Sequence, residues 1–309
     1  MTFWQELTKK KKPFLALSPM EDVTDVVFRQ VIEEIAPPDV FFTEFANVEA
    51  ILHNETSRLV YKKTKIPTVA QIWGVNPESF YKVAQLISDW GFLGIDINMG
   101  CPQRPEMKIG GCAALIKNHS LASEIISAVR RGTKLPVSVK TRIGVKEIQT
   151  EEWIGFLLAQ KIDALTVHGR TAKEMSSVPA HWDEIAKVVK MNNTDTVIIG
   201  NGDVKSIQDA GHRAQKTGVD GVMIGRGVFE NIACFRNDQI PMTKSQKIEI
   251  LKRHLELWQE TWGGKKNFSV LKKYFKIYIR DFDGASELRA RLMNSSSISG
   301  IISELGEVA

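Results

Sequence analysis

The feature that most constrains the fold is an alternation. Eight short apolar runs, rich in β-branched and aromatic residues, recur at 14–20 (FLALSPM), 40–46 (VFFTEFA), 68–74 (TVAQIWG), 94–101 (GIDINMGC), 136–144 (PVSVKTRIG), 164–171 (ALTVHGRT), 196–204 (TVIIGNGDV) and 221–229 (GVMIGRGVF). Amphipathic helical patterns lie between them, as at 25–35, 77–90, 121–131 and 153–161. Strands alternating with helices predict a parallel sheet, and about eight such units match a closed (β/α)8 TIM barrel, an α/β fold. An open doubly wound sheet would have fewer strands and usually a GxGxxG after the first; only the fragment Gly200-Asn201-Gly202 is present. After residue 229 the β pattern stops, and 244–261, 270–280 and 284–293 read as helices, with a break at Trp262-Gly263-Gly264. The expected organisation is a barrel over 1–239 and a small all-helical domain over 240–309. Within a helix-rich approach at 1–12, Lys9 to Lys12 read as a solvated lead-in to the first strand, with a basic arm as the alternative.

Polar and reactive side chains gather at the C-terminal ends of these runs. Met20, Glu44, Gln71, Asn98, Cys101, Lys140, Arg142, His168, Arg170, Asn201 and Arg226 all stand there. In a barrel those ends converge on one face, where active sites are built. A buried lysine without a partner is costly, so Lys140 invites a ligand. A flavin, anionic at its N1/O2 edge when reduced, would suit it, with His168 on the same edge and Gln71 on the pyrimidine rim. A salt bridge across the mouth is the alternative. Asn201-Gly202-Asp203 and Gly225-Arg226 end the seventh and eighth runs, where barrels commonly hold phosphate; the glycines permit close approach and Arg226 adds charge.

Cys101 is open to three roles: nucleophile with His168 as base, metal ligand, or general acid. As an acid, a thiol near its reference pKa of about 8.5 stays protonated at neutral pH. Cys112 and Cys234 read as small buried side chains. Three cysteines without paired spacing argue against a disulfide framework and for a reducing compartment, hence a cytoplasmic location. No CxxC or HxxxH spacing supports a metal site, and none is expected. No run of eighteen apolar residues and no secretory signal pattern occurs, so no membrane association is expected. The net charge is +5, and it is uneven: residues 240–309 carry 12 Lys+Arg against 8 Asp+Glu, the rest 29 against 28. Within 270–280, Lys272, Lys273, Lys276 and Arg280 fall opposite Val270, Leu271, Tyr274, Phe275 and Tyr278 at helical spacing. A basic face beside tyrosines suits a nucleic acid; an ordinary packed amphipathic helix is the alternative.

Taken in order, SPMEDVTDVVFR, DINMGCP with GGCAAL, VSVKTRIG, LTVHGRT, IIGNGDV and VMIGRGVF resemble the tRNA-dihydrouridine synthases, from about residue 15 to about residue 229. The resemblance implies an FMN-containing barrel, a helical tRNA-binding domain, and reduction of tRNA uridines to 5,6-dihydrouridine with NADPH restoring the flavin. It implies that Pro19 and Met20 lie against the flavin and that Gln71, Lys140 and His168 bind its ring system. Asn201, Gly202, Asp203, Gly225 and Arg226 would hold its phosphate. Asn98 would orient the uracil, and Arg142 and Arg170 would stand near the substrate. Hydride would pass from flavin N5 to uracil C6, and Cys101 would give a proton to C5. The target uridine would leave its stack, as in other base-modifying enzymes. A monomer is expected. Cys112 departs from the family's small non-thiol residue, and 103–109 is a local version of a variable loop. Two other readings are a dihydroorotate dehydrogenase-like barrel acting on a free pyrimidine, and a catalytically idle tRNA-binding protein.

Overall fold

The structure is a computed structural model and describes residues 1–62, 64–238 and 240–307. All eight runs form strands, the second in two pieces: β1 (Phe14–Leu17), β2 (Phe41–Phe42), β3 (Ala46–Asn47), β4 (Thr68–Trp73), β5 (Gly94–Met99), β6 (Val137–Arg142), β7 (Ala164–His168), β8 (Val197–Asn201) and β9 (Gly221–Ile224). Pairing is parallel throughout, in the order β1-β9-β8-β7-β6-β5-β4-β2, with β3 also on β4. A bridge between Ala16 and Val40 and the Leu17 N–H to the Val40 carbonyl, 3.2 Å, close the circle. The fold is the TIM barrel that the alternation predicts.

Side chains of alternate strand residues fill the interior, apolar below and polar above. Phe14, Val69, Ala164, Val197, Ile199 and Met223 form the lower layers. At Gly221 a Cβ would stand 2.4 Å from the Phe14 ring, so glycine there makes room for the aromatic. Lys9 to Lys12 are exposed, as a solvated lead-in would be, but the N-terminal stretch that carries them is ordered. It folds as a helix, Phe3–Lys10, opened by a capping box between Thr2 and Gln5. Its Trp4 is fully buried against Phe14 and Phe42, stoppering the barrel floor. Lys11 and Lys12 then pair with Asp39 and Asp220 at the rim.

The long C-terminal helix, Lys244–Trp262, starts with a second capping box (Thr243, Gln246) and stops at Gly263, whose φ of 31° is left-handed. It packs on the helix Val26–Ile35, and one apolar core runs through both. Arg253 pairs with Glu34, and Trp262 Nε1 donates to Asp25. Tyr274 Oη donates to the Val23 carbonyl at 2.6 Å, tying the helical part to the loop after β1. Residue 239, where the expected domain boundary falls, lies outside the described residues.

Segment 270–280 is not one helix. A 3-10 helix, Phe268–Tyr274, leads into a single α-turn, Phe275–Tyr278. Leu271, Tyr274, Phe275 and Tyr278 of the expected apolar side are buried, joined by Ile277 and Ile279. Val270, assigned to the apolar side, is exposed. The helix Ala285–Asn294 matches expectation, while the last helix, Ile298–Gly306, has no counterpart in the sequence reading.

Candidate active site at the barrel mouth

The strand registers set Asn98 beside Lys140, Arg142 beside His168, and His168 beside Asn201. Above them opens a cleft of about 800 Å³. Ten of the residues singled out from the sequence line it: Met20, Lys140, Arg142, His168, Arg170, Asn201, Gly202, Asp203, Gly225 and Arg226. Ser18, Gln103, Met175, Ser176, Lys205 and Phe229 also line it and were not foreseen. All but Phe229, which lies in the short helix Gly227–Glu230, come from loops whose approach to the mouth depends on the closed barrel. Met175 is the most legible of them, an exposed methionine just past HGRT.

Lys140 sits at the base of this cleft. Among the described residues its ammonium has no hydrogen-bond or ion-pair partner. Burial first, then the Arg142 charge, lower its pKa to about 8, against the opposing pull of Asp96 and Cys101. Pro19, Gln71, Asn98 and Cys101 are not in the cleft lining. Gln71 and Asn98 are buried and belong to a hydrogen-bonded chain behind it.

That chain has a fixed direction. Asp96 is fully buried and accepts from Ser138 Oγ and Gln71 Nε2, each at 2.6 Å. Gln71 Oε1 therefore faces Asn98 and accepts from its Nδ2 at 3.1 Å. Asn98 Oδ1 is left to accept from the backbone N–H groups of Gly100 and Cys101, at 3.0 and 2.9 Å. An acceptor-only carboxylate thus orients two amides in turn and shapes the turn that carries the thiol. Burial raises the Asp96 pKa to about 6, countered by its bonds to Ser138 and Gln71. Alternation along β5 places residues 96 and 98 on one face with the neighbouring Gln71, so this chain had a signal in the sequence.

Cys101 is half-buried and Cys112 fully buried. The Ala113 N–H to the Cys101 carbonyl, 3.2 Å, folds the glycine pair back so that the two thiols interact. A hydrogen bond from Cys112 lowers the Cys101 pKa despite burial, and the same contact drives Cys112 far up. The lowered value differs from the reference thiol assumed from sequence. Arg142 donates Nε to the Gly100 carbonyl at 2.9 Å and NH1 to the Thr171 carbonyl at 2.9 Å, pinning the cysteine loop to the loop after β7.

On the opposite wall, Arg170 is 2% exposed. It donates to the Val178 carbonyl, to Asp203 and to His168. Asp203 also accepts from the Ala180 N–H at 2.9 Å and from Arg226 at 3.3 Å. Burial raises the Asp203 pKa, but these bonds and charges outweigh it and hold the group low. Burial, followed by the charges of Arg142, Lys140, Arg170 and Arg226, keeps His168 neutral. Gly202, at φ 132°, would put a Cβ 2.5 Å from Ala180 and 3.3 Å from the His168 ring, so only glycine fits.

The four basic residues of 270–280 do not share one face. Lys272 donates to the Met293 carbonyl at 2.6 Å, and Arg280 to the Phe229 carbonyl and Asp281. Lys273 is half-buried near Asp22, Glu44 and Asp25, and burial lowers its pKa. Lys276 is exposed. No helix among the described residues is long and apolar enough to cross a membrane, and no group of three His, Cys, Asp or Glu among them could hold a metal.

Among solved structures, a mandelate oxidase complex aligns with 81% of this chain and 73% of its own at 15% identity and a TM-score of 0.49. The "Probable tRNA-dihydrouridine synthase" of Staphylococcus aureus (strain Mu50 / ATCC 700699) is 43% identical over 306 residues, 96% of this chain and 92% of that one. The "Probable tRNA-dihydrouridine synthase 2" of Bacillus subtilis (strain 168) is 42% identical over 305 residues, 96% and 93% of the two chains. The "Dihydrouridine synthase (Dus)" family model matches residues 16–305, and with relatives at this identity over nearly the full length, the chain belongs to the dihydrouridine synthase family.

Proposed function

We propose that the protein reduces uridine in tRNA to 5,6-dihydrouridine, with FMN held in the cleft and NADPH as the external reductant. The observation that carries this reading is the ammonium of Lys140, without a partner among the described residues, at a cleft large enough for a flavin and a base. The donor set fits FMN: a cation for an electron-rich ring edge, and Gly202, Gly225 and the side chain of Arg226 for a phosphate. When bound, the flavin supplies the hydride that saturates the C5–C6 bond of uracil.

The chain's own residues bind, orient and move one proton. Lys140 stabilises negative charge at the ring edge, where low exposure strengthens its field. Met20 offers an apolar, adaptable surface beside the cleft. The turn held by Asn98 carries the half-buried Cys101 thiol, two residues before Gln103 of the cleft lining, and in this reading that thiol gives its proton to C5. Its lowered pKa brings this acid nearer the working pH, where proton transfer is most effective. Lys140 and Arg142 receive the field of the thiolate left behind. Exposed Lys276, with Lys273, contributes phosphate contacts, while Lys272 and Arg280 hold the helical part together.

The test is mass-spectrometric mapping of dihydrouridine in unmodified tRNA treated with the FMN-loaded protein and NADPH. Formation at a defined position supports the reading. Turnover of dihydroorotate with untouched tRNA would replace it with the free-pyrimidine alternative. Cys101→Ala is expected to keep FMN and tRNA binding and to lose dihydrouridine formation. Unchanged turnover would remove the thiol from the proton path.

A further inference from the structure

The wall formed by His168, Arg170 and Asp203 has a chemical polarity that its residue types alone determine. A guanidinium can only donate, so the 3.2 Å contact from Arg170 NH1 makes His168 Nε2 an acceptor. A neutral imidazole carries one N–H, which must then be on Nδ1. Among the described residues no protein group bonds to Nδ1, and the ring lines the cleft. Arg170 is itself fixed from three sides. Its Nε donates to the Val178 carbonyl at 2.7 Å, its NH2 donates to Asp203, and Asp203 is anchored by the Ala180 N–H.

The geometry points to Arg170 as a positioning residue that locks His168 as the neutral Nδ1–H tautomer, so that the cleft is offered a donor there and never an acceptor. A group bound against His168 must therefore present a carbonyl oxygen or a deprotonated ring nitrogen. This deepens the proposed function, on which it rests only for the identity of the bound ring. The charged groups that face His168 are Lys140 and Arg142 from β6, Arg170 from the loop after β7, Asp203 after β8 and Arg226 after β9. Four cations and one carboxylate, itself paired to two of those cations, disfavour a protonated imidazole, so the donor persists through the neutral range.

The test is a long-range 1H–15N spectrum of the full-length protein with 15N-labelled histidine. The chain has six histidines, and His168→Gln identifies the signal by its loss. The expected wild-type result is an unprotonated Nε2 and a protonated Nδ1, unchanged from pH 6 to pH 9, with FMN and after its removal. In Arg170→Met the single tautomer should be lost, giving a mixture or a titrating ring, and the pH–rate profile should gain a new ionisation. Arg170→Lys, which retains a donor, should restore part of the Nδ1–H population. A wild-type Nε2–H tautomer, or a His168 protonated at pH 7, would overturn the inference without any variant. An unaltered tautomer in Arg170→Met would overturn the role of Arg170. Correct tautomers in a protein that binds no FMN would leave this lock standing and defeat the proposed function instead.

Discussion

Lys140 allows the flavin reading to be tested quantitatively. In the free protein its pKa is lowered to about 8 from the ordinary 10.5. A bound anionic or electron-rich edge favours the charged amine. Linkage then makes affinity depend on pH: it is full well below 8 and declines as pH rises through the free value. If binding restores the ordinary pKa, FMN affinity should be about 30-fold weaker at pH 9.5 than at pH 7. Removing the amine removes both the bond and the slope. A charge-assisted hydrogen bond is worth about 1.5–3 kcal/mol, so Lys140→Met should weaken FMN by roughly 10- to 150-fold at pH 7. Its profile between pH 7 and pH 9.5 should be flat apart from titration of FMN itself, which the variant measures directly. Quenching of flavin fluorescence on titration gives both affinities. A wild-type affinity with the same pH profile as the variant, or a variant that binds as tightly as wild type, would refute the placement of the ring edge at Lys140.

Three further outcomes follow from contacts already described. Asp96→Leu leaves Gln71 Nε2 and Ser138 Oγ without their acceptor, at about 1–3 kcal/mol each, and frees both amides to turn over. The alkylation rate of Cys101 by iodoacetamide should change in Asp96→Leu but hardly in Asp96→Asn, whose oxygen can face Gln71 and whose amine can face Ser138; equal effects would dissolve the relay. Trp4→Ala should destabilise the fold by about 3–5 kcal/mol, read by urea unfolding, and a change below about 1 kcal/mol would mean that the N-terminal helix does not stopper the barrel floor. Lys273→Glu with Lys276→Glu should weaken tRNA binding and shallow its salt dependence by about one unit per lost phosphate contact, and an unaltered slope would make both lysines bystanders.

What the sequence revealed and what it hid differ in kind. The barrel was legible because strand alternation is a local pattern, and closure converts position along the chain into convergence in space. Cys101, Lys140, His168 and Asn201 could be grouped at one face without any coordinates, since each ends a run. Trp4 could not be placed, because an eight-residue helix ending in lysines looks like surface until a barrel floor exists for it to fill. Segment 270–280 was read in part: its apolar side is buried except for Val270, but at eleven residues the three-residue and 3.6-residue periods barely separate, and the chain takes a 3-10 helix before a single α-turn.

Partnership is the harder quantity. Arg170 ends a run just as Lys140 does, and both are cations at the same mouth, so pattern alone makes them equivalent. One spends its donors on Val178, Asp203 and His168; the other has no protein acceptor among the described residues. That difference decides which cation can receive a ligand and which can only arrange its neighbour. It is set by loops that differ in what they bring within 3 Å: a carbonyl and a carboxylate for Arg170, and for Lys140 only the fields of Asp96 and Cys101. A burial penalty that distant fields offset only in part is a standing preference for a bound anion or dipole. On this account Lys140, without a protein acceptor among the described residues, marks the cleft as a place for a bound group more than the thiol does.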